Sequence, residues 1–323
     1  MSSAPYSAQV PTAREAESEM VFIVDGVFTM GSNRHYPEEA PEHEVKVSGF
    51  WIDRHAVTNA AFSRFVEATH YVTFAERPID PALYPGALPE LLVPGSAVFK
   101  VPRGPIDLRD SLAWWDYVPG ACWKHPEGPG SSLVGREQHP VVHVAYEDAE
   151  AYARWVKKDL PTEAEWERAA RGGLDGAEYC WGNELAPGGR MLANFWQGRF
   201  PFENLALDGF EGTAPVGSFP PNGFGIYDMA GNVWEWTRDF YVASHRSAGK
   251  SPCCIADNPR GPAREHSFDP AVPAFPRKVL KGGSFLCAQN YCFRYRPAAR
   301  YPQTIDTSTC HIGFRCVQRD EAG

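Results

Sequence analysis

Ten prolines fall between residues 78 and 130, at 78, 81, 85, 89, 94, 102, 105, 119, 126 and 129. Proline fixes φ and removes a backbone donor, so this density predicts no regular helix or strand across the segment. Its apolar stretches, LLVPGSAVF and LAWWDYV, predict that it packs on the body of the protein as an insertion instead of floating free as a linker.

Regular structure is expected on either side of that excursion. MVFIVDGVFTMGS reads as a hairpin around a glycine turn, and HEVKVSGFWIDRHAVT as a second strand pair. Thr58 then caps a helix whose Ala61, Phe62, Phe65 and Val66 share a face. YEDAEAYARWVKK places Ala149, Tyr152, Ala153 and Val156 on one stripe. In LPTEAEWERAARGG, Thr162 is the N-cap, Glu165 its capping-box partner, and Gly172-Gly173 the exit. From Tyr179 onward the chain reads as short strands and turns. No internal repeat or low-complexity tract divides it. The expectation is one domain over residues 19–319, behind a disordered lead over 1–18. Its class is α+β: compact, loop-rich and poor in regular secondary structure. Ten tryptophans and 13 tyrosines predict a core built on large aromatics.

A net charge of −9 argues against nonspecific nucleic-acid or anionic-membrane binding, which needs basic patches. No apolar run reaches the roughly 18–20 residues of a membrane span. The stretch MSSAPYSAQVPTAREAESE has neither the basic start nor the apolar run of a secretory signal, which predicts a cytoplasmic protein. A reducing compartment in turn predicts that the eight cysteines (122, 180, 253, 254, 287, 292, 310 and 316) are mostly free thiols.

Two of them stand five apart in GGSFLCAQNYCFRYRPAAR, as Cys287 and Cys292. Residues at that spacing face opposite sides of a strand and sit off line on a helix, so they converge only if the chain between them turns. Zinc asks for four ligands, and the vicinal Cys253-Cys254 pair is a poor second half. Two thiolates alone suit a soft, low-coordinate ion, of which Cu(I) is the biological choice. Arg294, Arg296 and Arg300 would favour ionised sulfurs. Buried structural cysteines remain the plain alternative, and spacing leaves both readings open.

KGGSFLCAQNYCFRYRPAAR, followed by HIGFRC at 311–316, resembles the C-terminal signature of the formylglycine-generating enzymes, or sulfatase-modifying factors. The likeness extends through FTMGS, HPVVHVAYEDAEAYARW, DLPTEAEWE, ANFWQGRFP and GNVWEW. GNVWEW and LPTEAEWE mark a wider superfamily, whereas the paired cysteines are specific to this branch. The resemblance implies the formylglycine-generating-enzyme fold, a relative of the C-type lectins. It also implies an O2-using, copper-dependent oxidase that converts a cysteine in a C-x-P-x-R segment of an unfolded sulfatase polypeptide to Cα-formylglycine. Cys287 and Cys292 would hold Cu(I) as the catalytic pair. Ser284, Tyr291, Trp234, Arg300 and His311 would line the substrate site, Arg300 reaching the substrate or the adjacent loop. The family likeness further implies two structural Ca2+ ions. One would be held by Asn194, Asp208 and the carbonyls of Phe195 and Phe210; the other by Asp228, Glu235 and the carbonyls of Gly231 and Val233.

The sequence departs from the eukaryotic pattern at Ala288, Gln289 and Asn290, and at His311, where an asparagine is usual. Cys310 adds a third thiol, which with His311 would offer extra ligands. The disulfide positions of secretory members fall here at Ala153 with Cys316 and at Ala170 with Pro297, so neither bridge can form. The alternative function is a noncatalytic peptide- or carbohydrate-binding module on the same scaffold. An iron-dependent sulfoxide synthase would need an H-x-x-x-H-x-E stretch, and the sequence has none. His43, His139 and His143 read as surface or core histidines.

Overall fold

The computed structural model describes residues 20–245, 255–270 and 272–319; the expected N-terminal lead and the Cys253-Cys254 pair lie outside them. The chain starts as a bent two-stranded ribbon. β1 (Met20–Ile23) pairs antiparallel with β4 (Phe50–Asp53), and β2 (Gly26–Met30) pairs with β3 (His43–Val47). This nesting corrects the expectation of two successive hairpins. Ile23 faces Phe50 and Gly26 faces Val47, so residues 24–25 and 48–49 lie at the same level on the two strands. They kink one continuous ribbon instead of reversing the chain. Gly49 leaves room at the kink for the Phe22 ring, which would lie 2.7 Å from a Cβ there.

The three helices follow their sequence signals. In α1 (Asn59–Thr69) the Thr58 side chain accepts from the Ala61 N–H at 3.2 Å, and Phe62 and Phe65 are buried. α2 (Tyr146–Trp155) buries Ala149, Tyr152 and Ala153, with Val156 just past its end. α3 (Glu163–Arg171) is closed by the capping box: the Glu165 N–H donates to Thr162 Oγ1 at 3.1 Å, and the Thr162 N–H to Glu165 Oε2 at 2.7 Å. Gly172 ends it at φ +57°, the left-handed turn that glycine enters without strain.

The proline-rich excursion does contain a regular element, against expectation. β5 (Gly95–Phe99) and β6 (Trp115–Pro119) form an antiparallel pair. They occupy the proline-free windows, and Pro119 sits at the strand end, where a missing donor is tolerated. Elsewhere the prolines open short 3-10 turns at Pro81–Leu83 and Pro89–Leu91. The excursion packs on the body as predicted: Cys310 N–H donates to Ala97 O at 3.1 Å, and Ser96 Oγ donates to Ser308 O at 2.7 Å.

β7 (Trp234–Phe240) and β10 (Val272–Lys281) centre the main sheet. β11 (Arg300–Thr304) lies beyond β10, and β12 (Ile312–Gly313) runs parallel to β7. Short strands complete the sheets. β8 (Ala256–Asp257) lies on β3, β9 (Phe268–Asp269) on β10, and β13 (Val317–Gln318) on β4. The core is aromatic, as composition predicts. Trp166 and Trp236 are fully buried, and their indole N–H groups donate to Glu235 Oε2 at 2.7 Å and Val144 O at 3.0 Å. A second cluster joins Trp114 of the excursion to Trp196, Phe200, Phe285, Leu286 and Ala288. That cluster flanks the site, whose Cys287 belongs to the main core.

Candidate active site

The chain leaves β10 through Gly282 and Gly283, both at positive φ. A Cβ on Gly283 would lie 2.9 Å from the Arg294 backbone, so only glycine lets the two ends of the following loop touch. The loop then turns tightly: the N–H groups of Tyr291 and Cys292 both donate to Ala288 O, at 3.1 and 2.8 Å. This is the turn the sequence argument required. It brings Cys287 Sγ and Cys292 Sγ to 3.0 Å, well beyond the ~2.05 Å of a disulfide bond. All six described cysteines are free.

The two sulfurs differ. Cys287 is sealed at 1 % exposure, and its Sγ accepts from the Ser284 N–H at 3.4 Å; Cys292 is half-buried and faces outward. Burial, reinforced by its neighbour, pushes the Cys287 thiol well up. The hydrogen bond from Cys287 pulls Cys292 down against the cost of burial, with help from Arg294, whose Nη1 is 3.8 Å from the sulfur. Of the two, Cys292 is the sulfur that loses its proton more readily. Of the three arginines expected to act here, only Arg294 does. Arg296 is bidentate to Glu39, and Arg300 is spent elsewhere.

Around the thiols, Tyr291 is 38 % exposed. Its ring stacks on Phe200 at 4.6 Å and meets the edge of Trp114 at 5.4 Å. Trp234 is buried, 5.8 Å from the half-exposed Tyr301 ring. Ser284 is fully buried and accepts from the Leu286 N–H at 3.2 Å, which shapes the turn. His311 lies against Trp115 at 5.0 Å and bonds Thr309 Oγ1 at 2.6 Å; burial lowers its pKa to about 3 and keeps it neutral.

Arg300 is 2 % exposed, pairs with Glu163 at 2.7 Å and donates to Val242 O and Glu38 O, so of its two expected roles these contacts are those of holding the adjacent loops. Cys310 Sγ accepts from the Phe99 N–H at 3.3 Å, directed at the excursion. Among the described residues no three His, Cys, Asp or Glu side chains are placed to share an ion. The extra-ligand role for Cys310 and His311 therefore has no support. His143 is a core residue bonded to Ser96 Oγ and Pro126 O.

The donor set fits a soft monovalent ion: two converging sulfurs, of which Cys292 is the less buried and the more easily ionised. Oxygen-rich positions fit hard cations in a different way. Asn194 Oδ1 is buried without a partner, while the Asp208 carboxylate receives the N–H groups of Phe195 and Phe210, both at 3.0 Å. The Gln197 amide reaches both Phe195 O and Asp208. At the second position, Glu235 is held by Arg315 at 2.7 Å on each oxygen, and Asp228 receives the Gly217 N–H at 2.8 Å. Glu235 is the buried one of the two carboxylates and its oxygens are taken by Arg315 and Trp166, so Asp228 is the one left with room for a cation.

Sequence reasoning missed Tyr36, Glu38, Trp114, Trp115 and Tyr301. The double tryptophan was visible, but nothing in the string says that its rings hold Tyr291 and His311.

The Sulfatase-modifying factor enzyme 1-like domain family matches this chain over residues 6–320. A curated relative named formylglycine-generating enzyme, from Mycobacterium tuberculosis, is 55 % identical over 95 % of this chain and 99 % of its own length. Another, named inactive C-alpha-formylglycine-generating enzyme 2, from Mus musculus, is 37 % identical over 92 % of this chain and 85 % of its own. Among solved structures, PvdO from Pseudomonas aeruginosa superposes with a TM-score of 0.62 at 23 % identity, covering 93 % of this chain and 94 % of that one, a likeness of fold. On these matches the chain belongs to the sulfatase-modifying factor family, and its fold is the loop-rich α+β fold of that family.

Proposed function

We propose that the protein is a formylglycine-generating enzyme: it converts a cysteine within a C-x-P-x-R segment of an unfolded sulfatase chain to Cα-formylglycine, using O2 and Cu(I). The observation that carries this reading is the approach of Cys287 and Cys292 to 3.0 Å, with Cys292 less buried than Cys287. Since the family includes a relative named as inactive, the reading leans on the dithiol and not on membership alone.

The overall change is demanding. The substrate side chain loses a Cβ–H and the Cβ–S bond and gains a carbonyl. Sulfur leaves as hydrogen sulfide, and O2 ends as that carbonyl oxygen plus water. Electrons balance only if a thiol reductant supplies two more, with two protons. Cu(I), when held by Cys287 and Cys292, supplies the reactivity toward O2 that thiols and aromatic rings lack. The chain's own residues do the rest. Tyr291, Trp234 and Tyr301 offer the substrate cysteine an apolar wall that excludes water. Burial favours the protonated form of Cys287, so binding the ion would displace that proton, and burial likewise keeps His311 neutral. Ca2+ at the Asn194–Asp208 and Asp228–Glu235 positions would tie down loops that lack strand ladders.

The reduced, copper-loaded protein should turn a C-x-P-x-R peptide into an aldehyde in air, read by mass spectrometry. Full activity in Cys287→Ser or Cys292→Ser would reject the assignment.

A further inference from the structure

Two thiolates that hold a monovalent cation keep one net negative charge, and here that charge is largely removed from water: Cys287 is 1 % exposed and Cys292 half-buried. A buried charge without a counter-ion is costly. The loaded site therefore needs a cation beside the sulfurs that does not itself bind the metal. Arg294 occupies that place, with Nη1 at 3.8 Å from Cys292 Sγ and a side chain only 15 % exposed.

It is held there by a segment far away in sequence. Arg294 Nη2 donates to Glu38 Oε1 at 2.8 Å, and the Tyr36 ring lies 3.7 Å from its Cζ. Tyr301 covers another side at 5.2 Å. The latch is itself fixed, since the Phe293 N–H donates to Tyr36 Oη at 3.0 Å. Arg294 Nε is buried with no partner, so Glu38 does not exhaust the guanidinium.

We propose that Arg294 is the counter-ion of the metal-loaded dithiolate, and that Tyr36 and Glu38 are the positioning residues that hold it in place and set its strength. This deepens the copper reading and rests on it. Glu38 has two opposed effects: its oxygen aims the guanidinium, and its charge offsets part of the guanidinium's field. Glutamine keeps the acceptor and removes the charge, so the two effects separate.

The test is the Cu(I) affinity of the reduced full-length protein, measured anaerobically by competition with a chromophoric Cu(I) chelator. Arg294→Gln is expected to weaken binding at least about tenfold, Arg294→Lys to restore most of it, and Glu38→Gln to tighten it by about threefold. A merely structural role would weaken binding in both Gln variants, so the opposite signs are the diagnostic. Unchanged affinity in a folded Arg294→Gln protein, or weaker binding in Glu38→Gln, overturns the proposal; if Arg294→Gln fails to fold, Glu38→Gln decides alone. A wild-type protein with no affinity for Cu(I) sinks the copper reading and this inference together. Wild-type binding with a flat response to these variants sinks only the counter-ion.

Discussion

Two buried polar clusters lie on either side of β10 and its exit loop, and they are built on opposite rules. Between α3 and β10, Lys281 Nζ is 3.0 Å from Glu167, Arg171 is 2.6 Å from the same carboxylate, and Arg300 is 2.7 Å from Glu163. Every charge there meets its opposite. In the exit loop, sulfur faces sulfur at 3.0 Å, and the guanidinium beside them stands 3.8 Å off. The first cluster pairs its charges within itself and so serves as scaffold. The second is satisfied only in part, as expected of groups that must accept a guest.

The contrast is open to attack by mutation. Its sharpest form is that Cys292→Ser should drop aldehyde formation to background while leaving the thermal midpoint within a few degrees; a large fall in Tm would mean that the dithiol is scaffold too. Next in size, Lys281→Met removes one of the three cations that face Glu163 and Glu167, leaving Arg300 and Arg171, and should cost about 3 kcal/mol, a fall in Tm on the order of 10 °C by calorimetry. The folded fraction should keep its activity, and loss of turnover without loss of stability would erase the distinction.

Acid should act on the scaffold in the same direction. Burial raises the Glu167 pKa, but Lys281 and Arg171 more than offset it and bring the group to about 2 from 4.5. A depressed carboxyl stabilises the fold fully above its unfolded pKa. That contribution, about 3 kcal/mol, is lost as pH falls from 4.5 toward 2. Urea midpoints at pH 5 and pH 3 should show the loss, and Glu167→Gln should lack it. The smallest effect is expected at the helix start: Thr162→Ala removes one capping hydrogen bond and should cost about 1 kcal/mol in urea denaturation, with no change in Cu(I) binding.

Local signals in the sequence were reliable where one short stretch decides the outcome. Thr162 and Glu165 specify the start of α3 by themselves, and the turn needed to bring Cys287 to Cys292 is made within five residues. The prolines misled only by being averaged: the windows between them were long enough for β5 and β6. Pairing partners were harder to read. A kinked ribbon and two hairpins have the same strand pattern, and only the level at which residues 24–25 and 48–49 meet tells them apart. Arg300 sits in the motif with the thiols, but its guanidinium goes to Glu163, a choice fixed by burial and not by spacing. Glu38 carries no local mark at all, because its partner Arg294 is 256 positions away.

That separation has a consequence for biosynthesis. The strand-flanking segment that carries Tyr36 and Glu38 leaves the ribosome long before the loop it will clasp. A nascent chain therefore holds one half of the clasp, with its carboxylate unpaired, until residue 294 has emerged. A product that stopped short of that loop would present Glu38 to solvent with no guanidinium to receive it.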